Sequence, residues 1–136
     1  MSFKDVFIIL VITFSKNIQA ANQSHGYEKY YLSHYRDCDK LKISDHNEIM
    51  LLFIRSLPLL EIPIIDFEFD DFGESGFFAN AYLADGTATF CIYPATNSCF
   101  LDICFSDKKC NCSAFNRSLY EYMQPKNISF YKMPQE

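Results

Sequence analysis

The dipeptide Asp85-Gly86 lies between two runs, residues 77 to 83 and 87 to 93, that both read as β-strand. Asp-Gly is among the strongest signals for a two-residue hairpin turn. Pairing outward from it sets Ala84 opposite Thr87, Leu83 opposite Ala88, Ala81 opposite Phe90 and Ala79 opposite Ile92. One face then carries Phe77, Ala79, Ala81, Leu83, Ala88, Phe90 and Ile92, and the other carries Phe78, Asn80, Tyr82, Thr89, Cys91 and Tyr93. A one-residue slip scrambles that division, so the pattern itself specifies the facing.

Further strands extend the hairpin. Ile65, Phe67 and Phe69 alternate with Asp66, Glu68 and Asp70, as a strand with one wet face requires. Cys99, Leu101, Ile103 and Phe105 alternate in the same way, a strand around Cys110 to Phe115 would follow, and the last candidate is Ile128 to Tyr131. Upstream, Tyr27, Tyr30, Tyr31, His34 and Tyr35 recur at helical spacing. Ser44 or Asp45 with Glu48 opens a second helix, apolar nearly all round from Ile49 to Leu57 and ended by Pro58. The expected fold is α+β, with one or two N-terminal helices packed on a four- to five-stranded antiparallel meander sheet crosslinked by disulfides. A small disulfide-rich all-β sandwich or barrel is the alternative.

Crosslinking is expected because the chain opens like a secretory precursor. Lys4 precedes an apolar core from Val6 to Phe14, and Ile18-Gln19-Ala20 ends in a small residue suited to cleavage. The apolar run is about half the roughly 20 residues that a membrane-spanning helix needs. Residues 1–20 are therefore read as a signal peptide, 21–26 as a flexible leader and 27–136 as a single extracellular domain without a membrane anchor. All six cysteines, Cys38, Cys91, Cys99, Cys104, Cys110 and Cys112, lie beyond the leader, and an even count in a secreted chain implies three bridges. The preferred pairs are Cys91 with Cys99, Cys104 with Cys110, and Cys38 with Cys112. Asn22, Asn111, Asn116 and Asn127 open Asn-x-Ser/Thr triplets, expected to carry glycans.

Net charge bears on partners. The whole chain carries −5, and loss of the leader makes the balance about −6. An acidic chain repels phosphate backbones, so nucleic acid is excluded as a partner. No nucleophile, phosphate-loop or zinc-protease motif stands out, and no metal or other cofactor is expected. His25 falls in the leader, His34 in the tyrosine stripe and His46 at a helix start, and all three read as surface or packing residues. The most concentrated charge is Asp66, Glu68, Asp70, Asp71 and Glu74. Three of its carboxylates project about 7 Å apart from one strand face, most simply as a solvated surface.

The sequence thus reads as a secreted, glycosylated, non-enzymatic binding protein. Its docking face for a macromolecular, basic extracellular partner is Asp66, Glu68, Asp70, Phe72, Phe78, Tyr82 and Tyr93. A second reading is a carrier of a small apolar ligand. A third comes from resemblance: a helix laid over an antiparallel sheet, with carboxy-terminal cysteines and Gly26 near the mature start, is similar to the cystatin plan, which implies a peptidase inhibitor. The Gln-x-Val-x-Gly hairpin and the Pro-Trp loop of that family are missing, since the chain has no Trp.

Overall fold

The computed structural model describes residues 29–106 and 110–133. The expected signal peptide, the leader and Asn22 lie outside these residues. Six strands form one antiparallel sheet: β1 (Lys29–Arg36), β2 (Ile64–Asp71), β3 (Phe77–Leu83), β4 (Gly86–Tyr93), β5 (Ser98–Phe105) and β6 (Asn127–Met133). Their spatial order is β2-β3-β4-β5-β1-β6, so only β2 to β5 run as a meander. The helices are α1 (Lys40–Ser44), α2 (His46–Ser56) and α3 (Cys112–Met123), with a 3-10 turn at Leu57–Leu60.

This architecture corrects the expected one in three places. The tyrosine-rich segment is strand β1, not a helix, and it inserts between β5 and β6. Its side chains obey a period of two: Tyr31, Ser33 and Tyr35 are buried, while Leu32 and His34 face the other way. Helical spacing of the tyrosines was coincidental, because aromatic residues favour strands and both sheet neighbours were available. Residues 112–123 form helix α3 instead of a strand, started by the Asn111 side chain, whose oxygen accepts the Ala114 N–H at 3.3 Å. Finally, no cysteine pair among the described residues is bonded.

Helices pack on one face of the sheet. Ile49, Phe53, Phe115, Leu119 and Met123 join Tyr35, Ala79, Ala81, Ala88, Phe90, Ile92, Leu101 and Ile103 in one buried cluster. Asp45 caps α2 by accepting the Glu48 N–H, and Ser56 and Ser118 share a 2.7 Å hydrogen bond between α2 and α3. Asn116 is 4% exposed. Its Nδ2 donates to the Tyr31 hydroxyl at 3.0 Å, and the Tyr35 hydroxyl donates to its Oδ1. A glycan at Asn116 has no room, which corrects that expectation; Asn111 caps its helix and Asn127 begins β6, both at the surface.

The β3–β4 hairpin keeps the two faces read from the sequence but in another register. Leu83 pairs with Gly86, Ala81 with Ala88 and Ala79 with Phe90, which makes Ala84 and Asp85 the loop. Gly86 is required for a different reason than turn geometry. It pairs with Phe105 of β5, and a Cβ there would stand 1.8 Å from the Cys104 carbonyl oxygen. Substitution Gly86→Ala is expected to push β4 from β5 and cost about 3 kcal/mol or more, as backbone overpacking does. Urea denaturation of the two proteins measures this, and a loss under 1 kcal/mol would contradict the close approach.

Candidate functional site

No described helix covers the second face of the sheet. Pairing registers place its side chains in rows across the strands. One row runs Asp66, Tyr82, Thr87, Cys104, Tyr30; the next runs Glu68, Asn80, Thr89, Asp102, Leu32; a third runs Asp70, Phe78, Cys91, Phe100, His34. Cys91, Tyr93 and Cys104 are buried here, yet they stand outside the helix-side cluster.

Aromatic rings cross this face in contact. Phe72, 59% exposed, lies 5.6 Å from Phe78; Phe78 meets Tyr93 edge-on at 5.9 Å; Tyr93 meets Phe100 edge-on at 6.0 Å; and Phe100 stacks on His34 at 4.0 Å. Such rows present both ring faces and edges, which suit flat rings and cations. Burial, with Arg36 adding to it, lowers the pKa of His34 and so favours the neutral ring.

Asp102 sits in the middle of the face, on β5, and is 8% exposed. Its Oδ1 is buried and accepts no hydrogen bond among the described residues. Desolvation pushes its carboxyl up to about 8, so at neutral pH the group is a carboxylic acid carrying a proton. Burial, with the Asp102 charge adding to it, likewise pushes the neighbouring Cys91 and Cys104 thiols up to about 12. These thiols are packed, protonated groups, unsuited to nucleophilic attack.

The structure brings the seven residues named as a docking face close together. Asp66, Glu68 and Asp70 occupy edge strand β2 on the helix-free side, opposite Tyr82, Asn80 and Phe78 of β3. The Tyr82 hydroxyl donates to Glu68 at 2.6 Å, which raises the tyrosine's pKa. Tyr93 and Phe72 lie at the end of the same face. Sequence reading missed Asp102, Phe100 and His34. Asp102 had left a signal, an acid at the centre of an otherwise apolar strand; Phe100 and His34 meet only through the non-local β1–β5 pairing.

Cysteine positions rule out the expected bridges in this structure. Cys91 lies on the helix-free face and Cys99 on the helix side of adjacent strands. Cys38 instead approaches Cys99, with the sulfurs 3.9 Å apart, and Cys110 approaches Cys112 at 2.9 Å. All six are free thiols.

An antiparallel sheet with helices on one side and a ring-lined, acid-bearing surface on the other makes a two-layer fold with one face free of described helices. Comparison with known proteins gives it a family. The profile of the S-adenosylmethionine decarboxylases matches residues 29–136, and the chain belongs to that family. Among solved structures it is similar to the adenosylmethionine decarboxylase of Aquifex aeolicus VF5, with a TM-score of 0.68 and 16% identity, covering 79% of this chain and 88% of that one. At this identity the likeness shows the shared fold. No curated protein matches the chain.

Family membership overturns the functional expectations drawn from sequence. The family is one of enzymes acting on a small substrate, so the non-enzymatic binding protein, the apolar-ligand carrier, the cystatin-like inhibitor and the extracellular protein partner are all corrected. The extracellular assignment falls with them, since enzymes of this family are cytoplasmic.

Asp102 generates a pH prediction. Its folded pKa of about 8 exceeds the unfolded value of about 3.9, so between those values the folded state holds one more proton. Stability contributed by this group therefore falls as pH rises, by about 1.4 kcal/mol per unit across the window, and levels off above the folded pKa. Asp102→Asn is expected to remove that slope and to be the more stable protein at pH 9. Urea titrations from pH 5 to 9 test it, and parallel curves for both proteins would contradict the assignment.

Proposed function

We propose that the chain acts on S-adenosylmethionine and that the helix-free face is where this substrate is held. The observation that carries the reading is the continuous aromatic row from Phe72 to His34 beside the acidic edge of β2. S-adenosylmethionine joins a flat adenine to a sulfonium and an α-amino acid, and this face matches it part by part. Adenine gains by stacking on the exposed Phe72 ring at the end of the row. The sulfonium and ammonium charges are attracted by ring faces and by Asp66, Glu68 and Asp70. A net charge of −5 on the chain favours approach of a cation.

Loss of CO2 from an α-amino acid leaves an electron pair on the α-carbon, which a cofactor acting as an electron sink must hold. Among the described residues no lysine lies in the rows of this face: Lys29 and Lys132 have the helix-side parity, and Lys40 and Lys42 belong to α1. The face therefore does not fit a carbonyl held as a lysine imine. What the chain's own residues supply is binding and protonation state. The rings orient adenine, the β2 carboxylates face the substrate's cationic groups, and buried Asp102 keeps a proton.

Incubation with carboxyl-labelled S-adenosylmethionine tests the activity, with labelled CO2 and the decarboxylated sulfonium as expected products. Phe78→Ala removes the two contacts at the Phe72 end of the row and is expected to raise KM about tenfold, the usual worth of a stacked base. Equal KM values for wild type and Phe78→Ala would move the substrate off this face, and absence of both turnover and binding would end the reading.

A further inference from the structure

A polar contact outside the aromatic row ends one residue from Phe72, a member of it. His46 is the first residue of α2, and its Nδ1 lies 2.9 Å from Oδ1 of Asp71, the last residue of β2. The same oxygen accepts the Gly73 N–H at 2.9 Å. These two donors, the Gly73 amide first and His46 second, hold the Asp71 carboxyl below its usual range. The His46 side chain is only 12% exposed and its ring lies 5.0 Å from Phe77. Its Nε2 is buried and has no hydrogen-bond partner among the described residues. Asp71, held below its usual range, is an ionised acceptor, so Nδ1 is the donor of this contact.

Asp71 in turn anchors the bend that follows it. Gly73 takes φ +63°, a left-handed conformation natural to glycine, and the bend closes with the Phe72 N–H donating to the Gly76 carbonyl at 2.8 Å. Phe72 stands at the start of this bend, exposed, with its ring against Phe78. A semi-buried imidazole at the start of α2 is thus linked, through one carboxylate, to the backbone that carries the outermost ring of the row.

We propose that His46 is a positioning residue which, through Asp71, fixes the 72–76 bend so that Phe72 is presented to the adenine ring of the substrate. The proposal rests on the reading that the helix-free face binds S-adenosylmethionine. It assigns His46 no contact with the substrate. The expected consequence is selective: loosening the bend weakens binding of ligands that carry adenine and leaves binding of the sulfonium amino-acid part alone.

Calorimetric titration of the full chain with S-adenosylmethionine and with S-methylmethionine, which lacks adenine, separates the cases. His46→Leu keeps apolar packing but removes the donor, and is expected to raise the Kd for S-adenosylmethionine about tenfold, as small misplacements of a positioning group do, with the S-methylmethionine Kd unchanged. His46→Asn sets an amide nitrogen near the position of Nδ1 and should restore the wild-type Kd to within about twofold. Should His46→Leu fail to fold, Asp71→Ala removes the same link from an exposed position and is expected to show the same pattern. Unchanged Kd for S-adenosylmethionine, equal weakening of both ligands, or failure of His46→Asn to rescue overturns the proposal. A wild-type chain that binds no S-adenosylmethionine overturns the substrate reading and this proposal with it, whereas normal wild-type binding with indifferent variants overturns the proposal alone.

Discussion

One buried amide ties strand β1, paired on both edges with β5 and β6, to the helix above it. Asn116 of α3 takes a hydrogen bond from Tyr35 and gives one to Tyr31, two residues on the same side of β1. Burial raises the Tyr35 pKa well above its usual range, which keeps its hydroxyl a donor at neutral pH. Leaving any of these three groups without its partner would strand a polar atom in the core, at a cost of about 1–3 kcal/mol each. The contact thereby ties the first strand to the last helix and fixes which face of β1 looks inward. Everything on the far side follows: His34 stacks on Phe100 and Leu32 flanks Asp102 only because Tyr31 and Tyr35 point the other way.

The two faces of the sheet divide the work. One is filled with small and branched side chains, Ala79, Ala81, Ala88 and Ile103 among them, which let α2 and α3 come close and bury Phe53 and Phe115 completely. The other holds rings, a protonated acid and an acidic edge. A buried carboxyl without a partner opposes folding, and such groups cluster where a protein binds or transforms a ligand. Asp102 is the clearest instance, because its neighbours Cys91, Cys104, Thr89 and Leu32 offer it no compensating charge.

Period-two patterning made β2 to β5 legible in the sequence, and with them the division of β3 and β4 into an apolar face and a ring-bearing one. Asp45 and Glu48 marked the start of α2 for a local reason, the cap itself. Failures came where the deciding contact was distant in sequence. Tyr30 to Tyr35 fit a helical period as well as a strand, and only pairing with β5 and β6 settles the choice; Tyr27 lies outside the described residues. Cys110 and Cys112 suggested a strand and a bridge, but the Asn111 cap and the packing of Phe115 and Leu119 make the segment a helix. The hairpin register was read two residues off because the close approach of β5 to Gly86 is invisible locally. An even cysteine count beside a leader-like start pointed to bridges and export, and with them to a binding protein. The family match set this aside, as no motif of the chain had done.

The central claim is that substrate meets the helix-free face. Aromatic-proton NMR during titration with S-adenosylmethionine examines that contact most directly, since adenine shifts the signals of rings beside it. The account predicts progressive, saturable shifts for Phe72, Phe78 and Phe100, with Phe53 and Phe115 on the helix side unmoved. Shifts confined to the helix-side rings, or no shift anywhere at millimolar substrate, would contradict it.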